Sequence, residues 1–151
     1  MIDFTVEVEI DRPVHHVFVY STDPERLPTW QTNTVSSIPE GEGAVGLGTR
    51  LREIHRAPGG MQFESLVEVT KCDPDRVFAL HVIEGTPVDG RMTFEPTATG
   101  GTLLRFRVFG TLTGPMRIAQ PVVGRMLKRQ FTEQVATLKR VLEEEPVAAP
   151  T

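Results

Sequence analysis

The sequence predicts an α+β fold: a strongly curved antiparallel sheet of about seven strands, two short helices after the first strand, and one long C-terminal helix that the sheet wraps. Two observations carry this. Between Pro115 and Glu145, the residues Met116, Ala119, Val123, Leu127, Phe131, Val135, Leu138 and Leu142 recur at spacings of three and four, one stripe of a 3.6-residue period. From Thr49 to Leu112 the chain instead alternates apolar and polar residues in runs separated by turn chemistry. A long helix with a single apolar stripe is not stable alone in water, and the inner face of an antiparallel sheet is its natural cover.

The first strand runs from Ile2 to Ile10, with Phe4, Val6, Val8 and Ile10 on one face and Thr5, Glu7 and Glu9 on the other. At Asp11-Arg12-Pro13 the period changes, and Val14, Val17, Phe18 and Ser21 follow at helical spacing. Asp23-Pro24 repeats the helix-start signal, and Pro28 limits the second helix to little more than one turn. A weak strand, Thr34 to Ile38, leads to the glycine-rich stretch Gly41 to Gly48. No helix opens after that stretch and no Lys-Ser/Thr follows, so it reads as a turn rather than a phosphate loop.

Five further strands are expected: Thr49 to Arg56, Met61 to Lys71, Arg76 to Glu84, Val88 to Pro96 and Thr102 to Leu112. The breakers between them are Pro58-Gly59-Gly60, Asp73-Pro74-Asp75, Gly85-Thr86-Pro87 and Gly100-Gly101. In the long helix, Pro121 is expected to remove a hydrogen bond to the carbonyl of Arg117 and kink the chain, with Gly124 leaving a gap beyond it. The first third would then stand off the sheet over a cavity, while Val135, Leu138 and Leu142 close the core. Glu143, Glu144 and Glu145 face the negative end of the helix dipole, which predicts a frayed last turn.

Composition bounds the rest. At 151 residues the chain reads as one domain over residues 1–145, with a Pro/Ala-rich tail from Pro146 to Thr151 expected to be disordered. No apolar run is long enough to span a bilayer and residues 1–20 lack a signal-peptide pattern, so no integral membrane association is expected. Cys72 is the single cysteine, which fits a reducing cytoplasm, and a net charge of −4 argues against nucleic acid.

Several motifs together resemble a known family. They are Ile10-Asp11-Arg12-Pro13-Val14 with Val17-Phe18; Thr22-Asp23-Pro24-Glu25-Arg26-Leu27-Pro28-Thr29-Trp30; Val45-Gly46-Leu47-Gly48-Thr49-Arg50; Glu68-Val69-Thr70 to Pro74; Met92-Thr93-Phe94-Glu95-Pro96; and Gly100-Gly101-Thr102. Across nearly the whole chain this pattern resembles the START/Bet v 1-like (SRPBCC) superfamily, in its polyketide cyclase/dehydrase-like branch. The resemblance implies the helix-grip fold, and some members of the branch are aromatase/cyclase enzymes.

Candidate site residues follow from face parity. With Leu51 inward, Glu53 and His55 are inward too, a carboxylate and an imidazole two residues apart that can orient a polar ligand group or exchange protons. Tyr20 and Trp30 sit near the corner helices, Tyr20 as a further proton-moving candidate and Trp30 as a ligand contact. Ser65 shares the parity of Val67 and lacks a Gly-x-Ser-x-Gly context, so it reads as a satisfied hydroxyl on the wall. Phe63, Phe78, Leu80, Met92, Phe94 and Phe106 would form the apolar floor, and Met116, Ala119, Val123, Met126 and Leu127 the helix side.

His15 and His16 point about 100° apart on a helix, and no His/Cys/carboxylate cluster has ligand spacing; neither metal nor cofactor is expected. The favoured expectation is a monomer or homodimer binding a hydrophobic small molecule of polyketide, isoprenoid or lipid type. The alternatives are a cyclase-type enzyme in the same cavity, and a quinone or lipid chaperone at a membrane surface.

Overall fold

The computed structural model describes residues 1–57 and 59–145; the tail expected to be disordered, like Pro58 of one turn, lies outside the described residues. The strands are β1 (Ile2–Ile10), β2 (Thr34–Glu40), β3 (Arg50–Arg56), β4 (Gln62–Asp73), β5 (Val77–Glu84), β6 (Val88–Pro96) and β7 (Thr102–Gly110). The helices are α1 (Val14–Ser21), α2 (Leu27–Trp30) and α3 (Gln120–Glu144). All seven strands form one antiparallel sheet in the order β1-β7-β6-β5-β4-β3-β2, so β2 to β7 is a meander and β1 returns to its far edge. With α3 lying in the sheet's curve, this is the helix-grip arrangement.

Bulges bend the sheet. Pairing shifts by one residue between Thr34 and Ser36 of β2, and twice along the β4–β5 ladder, at Leu66/Val67 and Val69/Lys71. The inward residues pack into a core that includes Val6, Ile10, Phe18, Val69, Phe78, Phe94, Leu104, Leu138 and Leu142. Phe94 meets Phe18 edge-on at 5.2 Å between ring centres.

Three expectations for the C-terminal segment are corrected. Residues Gly114–Ala119 form a 3₁₀ turn and α3 begins only at Gln120, which places Pro121 in its first turn. There the missing N–H would have had no intrahelical partner, so Pro121 starts the helix instead of kinking it. Gly124 does not border the hollow of the sheet: a Cβ there would rest against Ile2, 3.6 Å away, in a separate cleft beside β1.

The last turn also does not fray. The Asp11 backbone N–H and Lys139 Nζ donate to Glu143 Oε2 at 2.8 and 2.6 Å, and Arg12 Nη2 donates to the carbonyls of Glu143 and Glu145 at 2.8 and 3.1 Å. The cationic Lys139 and Arg12 offset the unfavourable dipole, and Arg12 satisfies carbonyls that the helix end leaves open.

Candidate functional site

The hollow between the sheet and the first half of α3 holds a cavity of about 170 Å³. Its walls come from β3 and β4 (Glu53, His55, Phe63, Ser65, Val67), from β5 to β7 (Leu80, Val82, Thr86, Val88, Asp89, Gly90, Phe106, Val108), from the turn after α2 (Gln31, Asn33) and, on the helix side, from Phe131. A narrower inner space of about 40 Å³ shares Gln31, Glu53, Leu80 and Phe106 with it and adds Trp30, Leu51, Phe78 and Met92.

Two local features open the cavity. Pairing of β5 with β6 stops at Leu80↔Gly90, and the Asp89 carboxylate takes over for the lost ladder by accepting from the Val82 N–H at 2.9 Å. The strands splay beyond that point. Gly90 also leaves room for the Phe106 ring, since a Cβ there would lie 2.9 Å from it.

One set of polar groups converges on the β3–β4 side. Glu53, only 5 % exposed, accepts from Ser37 Oγ at 2.8 Å through Oε2, and its Oε1 lies 3.3 Å from His55 Nε2. The same Nε2 meets Ser65 Oγ at 2.9 Å, while Nδ1 meets Thr34 Oγ1 at 3.1 Å. Thr34 in turn donates to Gln31 Oε1 at 3.3 Å. A buried carboxylate is costly unless hydrogen-bonded partners surround it, and here serine and histidine do so.

The wiring decides what chemistry is available. In a Ser–His–acid relay the hydroxyl and the carboxylate bind opposite ring nitrogens. Here Glu53 and Ser65 address the same one, so Ser65 is not an activated nucleophile. A proton on the Glu53–His55 pair makes their contact attractive, and that proton can be presented to a ligand oxygen or withdrawn from it.

Of the residues singled out from sequence, Glu53, His55, Phe63, Ser65, Leu80 and Phe106 lie on the cavity wall, and Trp30, Leu51, Phe78 and Met92 on the inner space. Phe94 is core. Tyr20 is off both walls: it is buried, its hydroxyl meets Thr29 Oγ1 at 2.8 Å, and Arg26 covers its ring. The helix residues Met116, Ala119, Val123, Met126 and Leu127 are absent from both walls, because without a kink only Phe131 reaches the hollow.

Sequence reasoning did not single out Gln31, Thr34, Ser37 or Asp89. Thr34 and Ser37 are three apart and both buried, which a regular strand forbids; the β2 bulge turns both inward. Among the described residues, no group of His, Cys, Asp and Glu side chains is arranged to hold a metal ion, and no helix is long and apolar enough to cross a membrane.

Residues 1–143 match the family described as polyketide cyclase / dehydrase and lipid transport. The chain belongs to this family. No curated protein matches the sequence. Among solved structures, this member of the polyketide cyclase/dehydrase and lipid transport family is similar to TTHA0849 from Thermus thermophilus, with a TM-score of 0.78 at 19 % identity over 95 % of this chain and 99 % of that one.

It is equally similar in fold to the di-domain ARO/CYC protein StfQ from the steffimycin biosynthetic pathway, with a TM-score of 0.78 at 18 % identity, covering 95 % of this chain and 51 % of that one. The Aha1 dimer from Colwellia psychrerythraea has a TM-score of 0.67 at 16 % identity, over 95 % of this chain and 98 % of that one. At such identities the likeness establishes the shared fold.

Proposed function

We propose that this protein binds a mostly apolar small molecule of polyketide, isoprenoid or lipid type, with one oxygen-bearing end held by the Glu53–His55–Ser65 cluster. The observation that carries this reading is a largely apolar cavity wall on which the mutually bonded Glu53, His55 and Ser65, two of them buried, gather on the β3–β4 side, while Asp89 across the cavity is committed to the Val82 N–H and His81. A few convergent polar groups in a greasy hollow set a ligand's orientation.

Size narrows the guest. The cavity of about 170 Å³ falls below the ~300–1,000 Å³ of sites for drug-sized ligands and near the ~150 Å³ that encloses benzene. One or two rings, or the end of a chain, fit inside. The remainder of a larger molecule emerges past Phe63, which is 42 % exposed.

Uptake of 2-naphthol, followed by calorimetry, tests this. Wild-type protein binds it saturably, and Val82→Phe, which fills the cavity from β5, abolishes binding while the circular dichroism spectrum stays unchanged. Undiminished binding by Val82→Phe contradicts the reading.

A second reading, in which the pair moves protons on a bound enolisable ketone as in a cyclase, is favoured by the 3.3 Å approach of Glu53 to His55. Replacing Glu53 by Gln together with His55 by Ala separates the two: under the enzymatic reading turnover of the ketone disappears, whereas under the binding reading the wild type shows no turnover and the variant only binds naphthol more weakly.

A further inference from the structure

The approach to α3 and its first turns carry a feature the cavity does not use. Met116, Ile118, Val122 and Met126 are 54 %, 89 %, 53 % and 52 % exposed. Val122 and Met126 lie one turn apart on the side of α3 opposite Phe131 and Leu138, and Met116 and Ile118 precede them in the 3₁₀ turn. None of the four lines the cavity, its inner space or the cleft beside β1, so they make an exposed apolar ridge outside these hollows.

Charge singles out the same stretch. Residues 113–132 hold Arg117, Arg125, Lys128 and Arg129 and no carboxylate, in a chain whose net charge is −4. Arg129 pairs with Glu133 at 3.4 Å; among the described residues Arg117, Arg125 and Lys128 have no carboxylate partner within ion-pair distance. Arg125 and Lys128 also line the cleft of about 410 Å³ between α3 and the start of β1. The carboxylate there, Asp3, is already bound by Arg107 at 2.8 Å.

We infer that this ridge docks the protein on an anionic phospholipid surface, with the four apolar side chains entering the acyl boundary and Arg117 and Arg125, nearest to them, meeting headgroup phosphates. A protein partner anchors its central side chains in pockets, and no ridge residue lines any of the hollows described above. A fluid lipid surface moulds around protruding side chains and rewards cations beside them. A second copy would bring the same cations face to face, which like-charge repulsion opposes. Docking here is independent of the cavity's guest, because Phe131, the helix residue that meets the cavity, points away from Val122 and Met126.

Co-sedimentation with vesicles tests the inference. The protein is expected to bind phosphatidylcholine vesicles containing about one third phosphatidylglycerol at about 0.05 M salt, to ignore pure phosphatidylcholine, and to be released at about 0.5 M salt. Arg117→Glu with Arg125→Glu should weaken binding by more than about tenfold, given about fivefold for each cation. Ile118→Ser with Met126→Ser should weaken it by about tenfold at low salt.

Equal behaviour towards the two vesicle types overturns the proposal. So does sensitivity to the charge reversals with none to the serine variants, which would mean charge attraction without insertion. A concentration-dependent dimer that Ile118→Ser with Met126→Ser abolishes in ultracentrifugation would assign the ridge to a second copy. The vesicle and salt comparisons use the unmodified protein, so a variant that misfolds does not remove the test.

Discussion

The two halves of α3 share one amphipathic periodicity and differ in what lies opposite. In the second half, Gln134, Val135, Leu138 and Leu142 are at most 3 % exposed, and the helix end is tied to the corner between β1 and α1. Lys139 donates to the Glu9 carbonyl at 2.8 Å, and Arg12 and the Asp11 N–H hold Glu143 and the terminal carbonyls. In the first half, Val122 and Met126 stand in solvent and Phe131 alone meets the cavity. One end of the helix is a clamp, and the other is a wall held in place by it. An anchored scaffold lets the segment beside the site forgo burial, since local stability need not be uniform along an element.

The difference can be broken most forcefully at Leu138. Leu138→Ala should cost about 2–5 kcal/mol in urea unfolding, because the side chain is fully buried and leaves a cavity. Met126→Ala should stay within about 0.5 kcal/mol. If the two losses were similar, the halves would not differ as described.

Arg12→Ala should cost about 1–2 kcal/mol by uncapping the last carbonyls. Amides of residues 138–144 should then exchange hydrogen faster, while those of residues 120–130 keep their rates.

A smaller effect comes from pH. The Lys139 ammonium, then the Asp11 N–H, hold the Glu143 carboxyl below the usual glutamate range, so folding is favoured while this group stays ionised. That contribution is fully present above the unfolded glutamate value and is lost as pH falls through the depressed folded one. Discounted for solvent screening, it amounts to about 0.5–1 kcal/mol. Glu143→Gln should flatten the acid limb of the stability curve by that amount.

The smallest change is expected at Pro121. Because it occupies the first turn, Pro121→Ala should alter stability by less than about 0.5 kcal/mol. A gain near ~3 kcal/mol would restore the interior kink.

Much of this architecture was legible because it rests on periodicity. The alternation of β1 and β4 to β7 and the stripe of α3 each follow from which side chains must leave water. The same parity places Leu51, Glu53 and His55 on one face, where they lie. Thr34 and Ser37 escaped notice because the β2 bulge breaks parity, and nothing in Thr34-Val35-Ser36-Ser37 marks it. Asp89 reaches the cavity only because β5 and β6 part company, which is a property of the sheet's curvature rather than of either strand. The helix side of the cavity was misread for one reason: a proline that begins a helix and a proline that bends one look alike when the start of the helix is placed a turn and a half too early.

The account depends most on a guest occupying the hollow beneath the first half of α3 with its oxygen at the Glu53–His55 end. An amide-resolved NMR titration with 2-naphthol measures this directly. Saturable shifts should gather at Glu53, His55, Ser65, Val82, Asp89 and Phe131, with little change from Val135 to Leu142. Shifts absent from the first group, or spread evenly along the whole helix, would contradict it.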